Sequence, residues 1–282
     1  MKKRLLLLRV FFLILFAAAL GILIVSAATG ETHTAAAAGS AVVPFLCFLA
    51  TFIPEVGKKD RKQYEKLAEG FMDRAFDGCK RERKLFIRAV TFWQQNKNAE
   101  AVSVLERLYN GTENAAIRAR ARFFAGRCHQ EQKEYAQAKQ LYEEALSLDP
   151  TIAMAWSNLA TVCDVLGAEP EEMIRCLETA VFYDPNYEVA YGKLGMYYNM
   201  LHDFERSERA LCTAIRLNPR RAVNYANYSW ALISAGKLDE AEEAYRQAIV
   251  RGYKDESLGQ MLADAKAVAK ELAKEERRIG FL

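Results

Sequence analysis

Residues Tyr191 to Met200 read YGKLGMYYNM, two glycines in a run that otherwise has the character of a helix. Glycine costs a helix interior roughly 1 kcal/mol against alanine, so a close neighbour should require the missing side chains. Working outward from Gly195, the same register is filled elsewhere by Gly126, Ala160 and Ser229. The surrounding residues keep step: Trp156 and Leu159 answer to Tyr191 and Leu194, then Tyr225 and Tyr228, with Arg122 and Ala125 one unit earlier. A position always held by a tiny residue predicts two antiparallel helices that cross too tightly for a larger side chain. Gly192 has no such equivalent, since Phe123, Ser157 and Ala226 stand in its place, and the sequence offers no packing reason for it.

A second helix repeats with the first. Ala145, Ala180, Ala214 and Ala248 each follow Ala138, Met173, Ser207 and Ala241 by seven residues, with Tyr142, Leu177, Leu211 and Tyr245 between them. That is a small, large, small stripe at i, i+4, i+7 along one helix face. Asp149-Pro150, Asp184-Pro185 and Asn218-Pro219 punctuate the units, and each proline is expected in the first turn of the next helix.

At these residues the chain resembles the tetratricopeptide repeat family, whose pattern is W-x₂-L-G-x₂-Y, then A-x₃-F-x₂-A, then P. Glu188–Arg221 carries the pattern through Leu194, Gly195, Tyr198, Leu211, Ala214 and Pro219. The unit before it has Trp156, Leu159, Leu177, Ala180 and Pro185, with an extra residue near Gly167-Ala168-Glu169-Pro170. The unit from Ala119 lacks the large aromatic, having Arg122, and the last full unit has Tyr253 where the proline would stand. Ala89, Phe92, Ala101 and Leu105 look like a degenerate unit, and Ala68, Met72 and Ala75 like an isolated second helix. The resemblance covers roughly residues 60–254 and implies an all-α, right-handed superhelical solenoid of helix hairpins. A further helix with the apolar stripe Met261, Leu262, Ala265, Val268, Ala269 and Leu272 is expected to cap it.

One or two transmembrane helices are expected ahead of the solenoid. Val10–Ala28 and Ala35–Ile53 are uncharged stretches of 19 residues, the second interrupted by Pro44. Each is long enough to cross most of a hydrocarbon core of about 30 Å. Lys2, Lys3 and Arg4 precede the pair and Lys58, Lys59, Arg61 and Lys62 follow it, while Thr29–Thr34 between them holds no Lys or Arg. That asymmetry places both flanks in the cytoplasm. A cleaved signal peptide ending near Val25-Ser26-Ala27 is the competing reading; if the second stretch then failed to span, the remainder would be exported. The expected organisation is a membrane anchor at 1–54 (a transmembrane hairpin, or a signal peptide plus one span), a basic membrane-proximal helical linker or degenerate half repeat at 55–84, a solenoid of four to five repeats at 85–254 and the cap at 255–282.

Beyond the anchor, charge is uneven. Residues 55–130 carry 17 Lys or Arg against 10 acids, and residues 131–282 carry 18 against 25. Net neutrality over the two removes the footprint of a nucleic-acid binder, while Lys80-Arg81-Glu82-Arg83-Lys84 suits anionic headgroups or solvent. The six cysteines show no C-x-x-C pair, which argues against zinc or a disulfide scaffold and for small buried hydrophobes in a reducing compartment. His33, His129 and His202 do not cluster, and His129 shares the register of Cys163, Tyr198 and Leu232, so it is expected to face the core. No phosphate-binding, zinc-protease or nucleophile-elbow motif occurs, so neither an enzyme nor a cofactor is expected.

The resemblance implies a concave face, lined by the first helix of each unit, that holds a partner's extended peptide or helix. Counting i, i+3, i+7 gives Arg120, Phe123 and Arg127; Met154, Ser157 and Thr161; Val189, Gly192 and Met196; Val223, Ala226 and Trp230, with Asn199 further along. This stripe is expected to be at least partly open. Its apolar members would take apolar side chains, its arginines a carboxylate, and Gly192 a close ligand backbone. Ala226→Trp is then expected to block a bound peptide. Some family members hold acidic chaperone tails with lysines and asparagines on this face; few such residues stand here, so the resemblance does not extend to that specificity. The function expected is a membrane-anchored, non-enzymatic adaptor; the alternatives are an exported component of a cell-envelope or secretion assembly, and a non-catalytic subunit of an enzyme complex.

Overall fold

Asp149, Asp184 and Asn218 turn the chain in the same way three times. In each, the side-chain Oδ1 accepts the backbone N–H two residues on: from Thr151 at 3.0 Å, Asn186 at 3.0 Å and Arg220 at 3.3 Å. Asp and Asn favour this turn because a short carbonyl or carboxylate arm reaches its own backbone. The following helices begin only at Ala153, Glu188 and Ala222. Pro150, Pro185 and Pro219 therefore lie inside the turn and not in a first helical turn, a correction to the sequence expectation, because the Asx turn needs residues of its own before the helix starts.

The structure, a computed structural model, describes Met72 and residues 74–279. Arg74–Leu282 groups as one compact unit. Among the described residues it is helical throughout: a short 3-10 turn at Arg74–Phe76, then α1 (Lys80–Gln94), α2 (Asn98–Asn110), α3 (Ala115–Glu131), α4 (Tyr135–Leu148), α5 (Ala153–Val165), α6 (Pro170–Tyr183), α7 (Glu188–Met200), α8 (Phe204–Leu217), α9 (Ala222–Ser234), α10 (Leu238–Val250) and α11 (Ser257–Ile279). Odd and even helices form five hairpins, and each second helix also packs on the first helix of the next. The isolated second helix expected over Ala68, Met72 and Ala75 does not include its last two residues: Met72 lies outside any helix and Ala75 sits in the 3-10 turn, while Ala68 is outside the described residues. No described helix is long and apolar enough to cross a membrane. Val10–Ala28 and Ala35–Ile53 both lie outside the described residues.

The turn within each hairpin has one geometry. Asn96, Lys133, Gly167, His202 and Gly236 take φ of 57°, 63°, 81°, 58° and 75°. The next residue's N–H returns to a carbonyl five residues back, as from Lys97 to Phe92, Glu134 to His129 and Lys237 to Leu232, each at 2.9 Å. This closes the last turn of the first helix and needs a left-handed residue. The extra residue of the third hairpin falls just here, since α6 begins at Pro170, three residues after Gly167, against two in the other hairpins. A side chain in that conformation costs about 1–2 kcal/mol, offset in part by the greater freedom glycine has in the unfolded chain. Lys133→Gly is thus expected to raise stability by about 0.5–1 kcal/mol, read as a higher urea midpoint with an unchanged slope.

The tiny-residue register behaves as the sequence implied. A Cβ on Gly195 would lie 2.3 Å from Cγ of Leu211, and one on Gly126 would lie 2.8 Å from the Tyr142 ring. Ser229 also fits, donating to the Ala241 carbonyl at 2.7 Å, while Ser207 on the opposite helix donates to Gly195 at 2.7 Å. Gly192 acquires a reason the sequence withheld. Its missing Cβ would sit 3.0 Å from Oδ1 of Asn224, a buried residue that donates to the Ala214 carbonyl at 3.2 Å. Alanines stand at the corresponding positions Ala121, Ala155 and Ala190. The larger asparagine and the absent side chain compensate each other.

Arg122 replaces the usual aromatic by pairing with Glu106, lying 2.9 Å from the Glu144 carboxylate, and stacking its guanidinium 3.6 Å above the Tyr109 ring. An aromatic chain of Phe76, Phe86, Phe124, Phe123 and Tyr142, with centroids 4.9 to 6.0 Å apart, fills the first hairpins. At the other end, α11 seals the stack only with its first turns. Leu258 and Leu262 are buried, whereas Val268 and Leu272 are 59% and 57% exposed. The stripe expected to cap the solenoid is longer than the layer it covers: α11 has 23 residues against 13 in α10.

Candidate functional site: a cleft on the first-helix face

First helices of successive hairpins approach one another directly, α1 to α3, α3 to α5, α7 to α9 and α9 to α11, and second helices make no approach of comparable extent. The side on which helices crowd is the inner, concave side of a stack. The open residues of that side are not the i, i+3, i+7 set. The middle row, Phe123, Ser157, Gly192 and Ala226, is buried in every hairpin. It faces the neighbouring first helix, which is why three of its four members are small. In α5, α7 and α9 the residues one step on, Asn158, Lys193 and Asn227, are partly exposed, so the open stripe there runs i, i+4, i+7, whereas Phe124 at that step of α3 is buried. Ala226 packs in a cluster with Ala248 and Leu258, and Trp230 leans on that cluster. Ala226→Trp would therefore disturb packing and does not test a groove.

The expected residues divide. Phe123, Arg127, Met154 and Thr161 line one cleft of about 380 Å³, together with Asn158, Gln130, Glu131, Tyr135, Val165 and Tyr187. Phe123 is held edge-on to Phe124 at 5.1 Å, and the Arg127 guanidinium lies 4.2 Å above the Trp93 ring. Arg120 does not join them: it is ion-paired to Asp149 at the α4–α5 turn. Burial raises the Asp149 carboxyl, but hydrogen bonds from Thr151 and Arg120 outweigh it and leave the group below its ordinary range. Ser157 is fully buried and Asn199 nearly so, its Nδ2 3.1 Å from the Ser234 hydroxyl. Met196 is partly buried and does not line the cleft.

Beside the cleft, Lys193 is drawn inward. Its Nζ donates to the Ser157 carbonyl at 3.0 Å and the Ser157 hydroxyl at 3.1 Å, and also to the Thr161 hydroxyl. All three acceptors are neutral. Burial, with the Arg221 charge adding to it, lowers the Lys193 ammonium to about 8. Burial also raises the Tyr187 phenol, which thus faces the cleft as a neutral group.

Two buried thiols are held in their protonated form. Burial pushes the Cys128 thiol up to about 12 and Cys163 up to about 11. The five described cysteines are free thiols; Cys212 is exposed, contrary to the buried reading, and Cys47 lies outside the described residues. His129 is only partly buried and pairs with Glu134 across the α3–α4 turn, where the carboxylate draws it from the core.

Tetratricopeptide-repeat family models match residues 119–152 and 222–249. Those two segments are tetratricopeptide repeats. Anaphase-promoting complex subunit 3 of Schizosaccharomyces pombe is 27% identical over 108 residues, 38% of this chain and 16% of that protein. The TPR repeat-containing thioredoxin TTL4 of Arabidopsis thaliana is 36% identical over 90 residues, 32% of this chain and 13% of that protein. The matches thus span about a sixth or less of either relative. Among solved structures, a tetratricopeptide repeat protein from Parabacteroides merdae superposes with a TM-score of 0.56 at 18% identity, covering 71% of this chain and 77% of that one. YrrB, described as a TPR protein with an unusual peptide-binding site, gives 0.51 at 18% identity over 69% of this chain and 98% of its own. At such identities the likeness establishes the fold, an all-helical repeat solenoid. Tetratricopeptide repeats characteristically serve protein–protein interaction.

Proposed function

We propose that this chain is a membrane-anchored adaptor that binds a segment of a protein partner, an extended peptide or a helix, along its first-helix face. The observation that carries the reading is the cleft between α3 and α5. Phe123 and Met154 supply apolar walls, and Arg127, Asn158 and Tyr187 supply polar groups at its rim. A few polar groups around an apolar floor fix the direction and register of a chain whose side chains fill the floor. Met154 adapts to side chains of different shape. The peptide-binding site described for YrrB supports the reading by analogy of fold.

Anchoring rests on the two uncharged stretches before residue 54 and the basic residues outside them. The repeats then face the cytoplasm. A C-terminal phosphatase fusion inactive in the exported compartment, with a fluorescent fusion bright in the cytoplasm, supports this; the reverse pattern favours the exported assembly component.

A photo-crosslinking residue at Met154 is expected to capture one dominant partner in cells. The same residue at Phe182, 76% exposed on a second helix, is expected not to. Asn158→Trp fills the cleft from a partly exposed position and should lower capture at least about tenfold, the loss of a single well-placed anchor, with an unchanged melting curve. Equal capture at both positions, or capture indifferent to Asn158→Trp, contradicts the proposal.

A further inference from the structure

Four cations converge on one open cleft at the start of the described unit. Lys80, Arg81 and Lys84 come from the first turns of α1 and Arg107 from the last turn of α2, and with Leu85 they line about 370 Å³. No acidic side chain is in the lining. Glu106, next to Arg107, is turned away to Arg122, and among the described residues none of the four cations meets a carboxylate at ion-pair distance. Their placement also opposes the local field. The N-terminus of α1 carries partial positive charge, its cap residue Cys79 makes no side-chain hydrogen bond, and acids are the residues that stabilise such an end. Glu82 is the one acid in the first turn of α1 and lies outside the lining, so among the described residues the four positive charges border the cleft without a carboxylate at ion-pair distance, and the site is complementary to an external array of negative charge.

We infer that this cleft docks the first hairpin on the anionic headgroups of a membrane surface. The inference rests on the anchor reading for its tether: the second uncharged stretch ends at Ile53, 27 residues before Lys80, with Lys58, Lys59, Arg61 and Lys62 between. A tether of that length holds the cleft at high effective concentration against the surface. Each Lys or Arg near an anionic leaflet then adds attraction that salt screens. A lipid surface fits better than one acidic peptide because all four side chains are solvent-exposed at one end of the unit, on the same side in sequence as the anchor.

The test uses the full chain reconstituted into phosphatidylcholine vesicles with and without phosphatidylserine. Amide exchange over residues 79–85 should slow at least about tenfold on the anionic vesicles and recover in molar salt. The variant Lys80→Gln/Arg81→Gln/Lys84→Gln/Arg107→Gln, altered only at exposed positions, should melt as the parent does and lose the lipid dependence. Carbonate extraction reads the anchor separately. A chain released by carbonate ends the anchor reading, and its sedimentation with phosphatidylserine vesicles still decides the cleft. Equal exchange on both lipids, an unaltered quadruple variant, or protection by soluble polyglutamate but not by phosphatidylserine overturns the inference.

Discussion

Gly195→Ala is expected to lower the unfolding free energy by about 2 kcal/mol, although alanine is the better helix former. The added methyl would meet Cγ of Leu211 at 2.3 Å, near the root of a fully buried side chain that cannot swing aside. Overpacking of this kind costs about 3 kcal/mol at its upper end, and helix propensity returns about 1 kcal/mol. Thermal unfolding should shift down by about 4–8 °C for a unit of this size. Adding Leu211→Ala should make the two changes non-additive, because each removes the other's clash or cavity. Strict additivity would mean that α7 and α8 do not cross at these residues.

Lys193→Met is expected to raise stability at neutral pH by about 1–2 kcal/mol. The ammonium gives up water for three neutral acceptors, and replacing an uncompensated inward charge by an apolar chain of similar length relieves that loss. The pH dependence separates this cause from packing. With the folded value lowered to about 8 by burial, the unfolded state binds the extra proton between that value and the ordinary lysine range, so wild-type stability from this group rises with pH there. The advantage of Lys193→Met should be full below pH 8, fall as pH rises, and give way to a small disadvantage on passing pH 10.5, a total change of about 3 kcal/mol. A difference constant from pH 7 to pH 10.5 would place the ammonium in open water.

Much of this was written in the sequence because repeats state each packing rule several times. The tiny register of Gly126, Ala160, Gly195 and Ser229 and the three Asp/Asn-Pro steps state the hairpins and the inserted residue near Gly167. What did not show was which of two adjacent rows on the first helices is open. A step of one residue rotates the face by about 100°, and both rows contain polar and apolar members. The signal was present in side-chain size: Ser157, Gly192 and Ala226 are small where a neighbouring helix passes, and Asn158, Lys193 and Asn227, one step on, are longer, polar and partly exposed. Arg120 was misread for another reason. Its partner Asp149 lies a whole helix away, in a turn whose geometry only the structure displays. Gly192 likewise depended on Asn224, in the next hairpin.

Solving the complex with the partner captured through Met154 tests the central claim most directly. The partner segment is predicted to lie along the first helices, with a side chain between Phe123 and Met154 and polar contacts to Arg127, Asn158 or Tyr187. A partner seated instead on the second helices, with the α3–α5 cleft left to solvent, would contradict it.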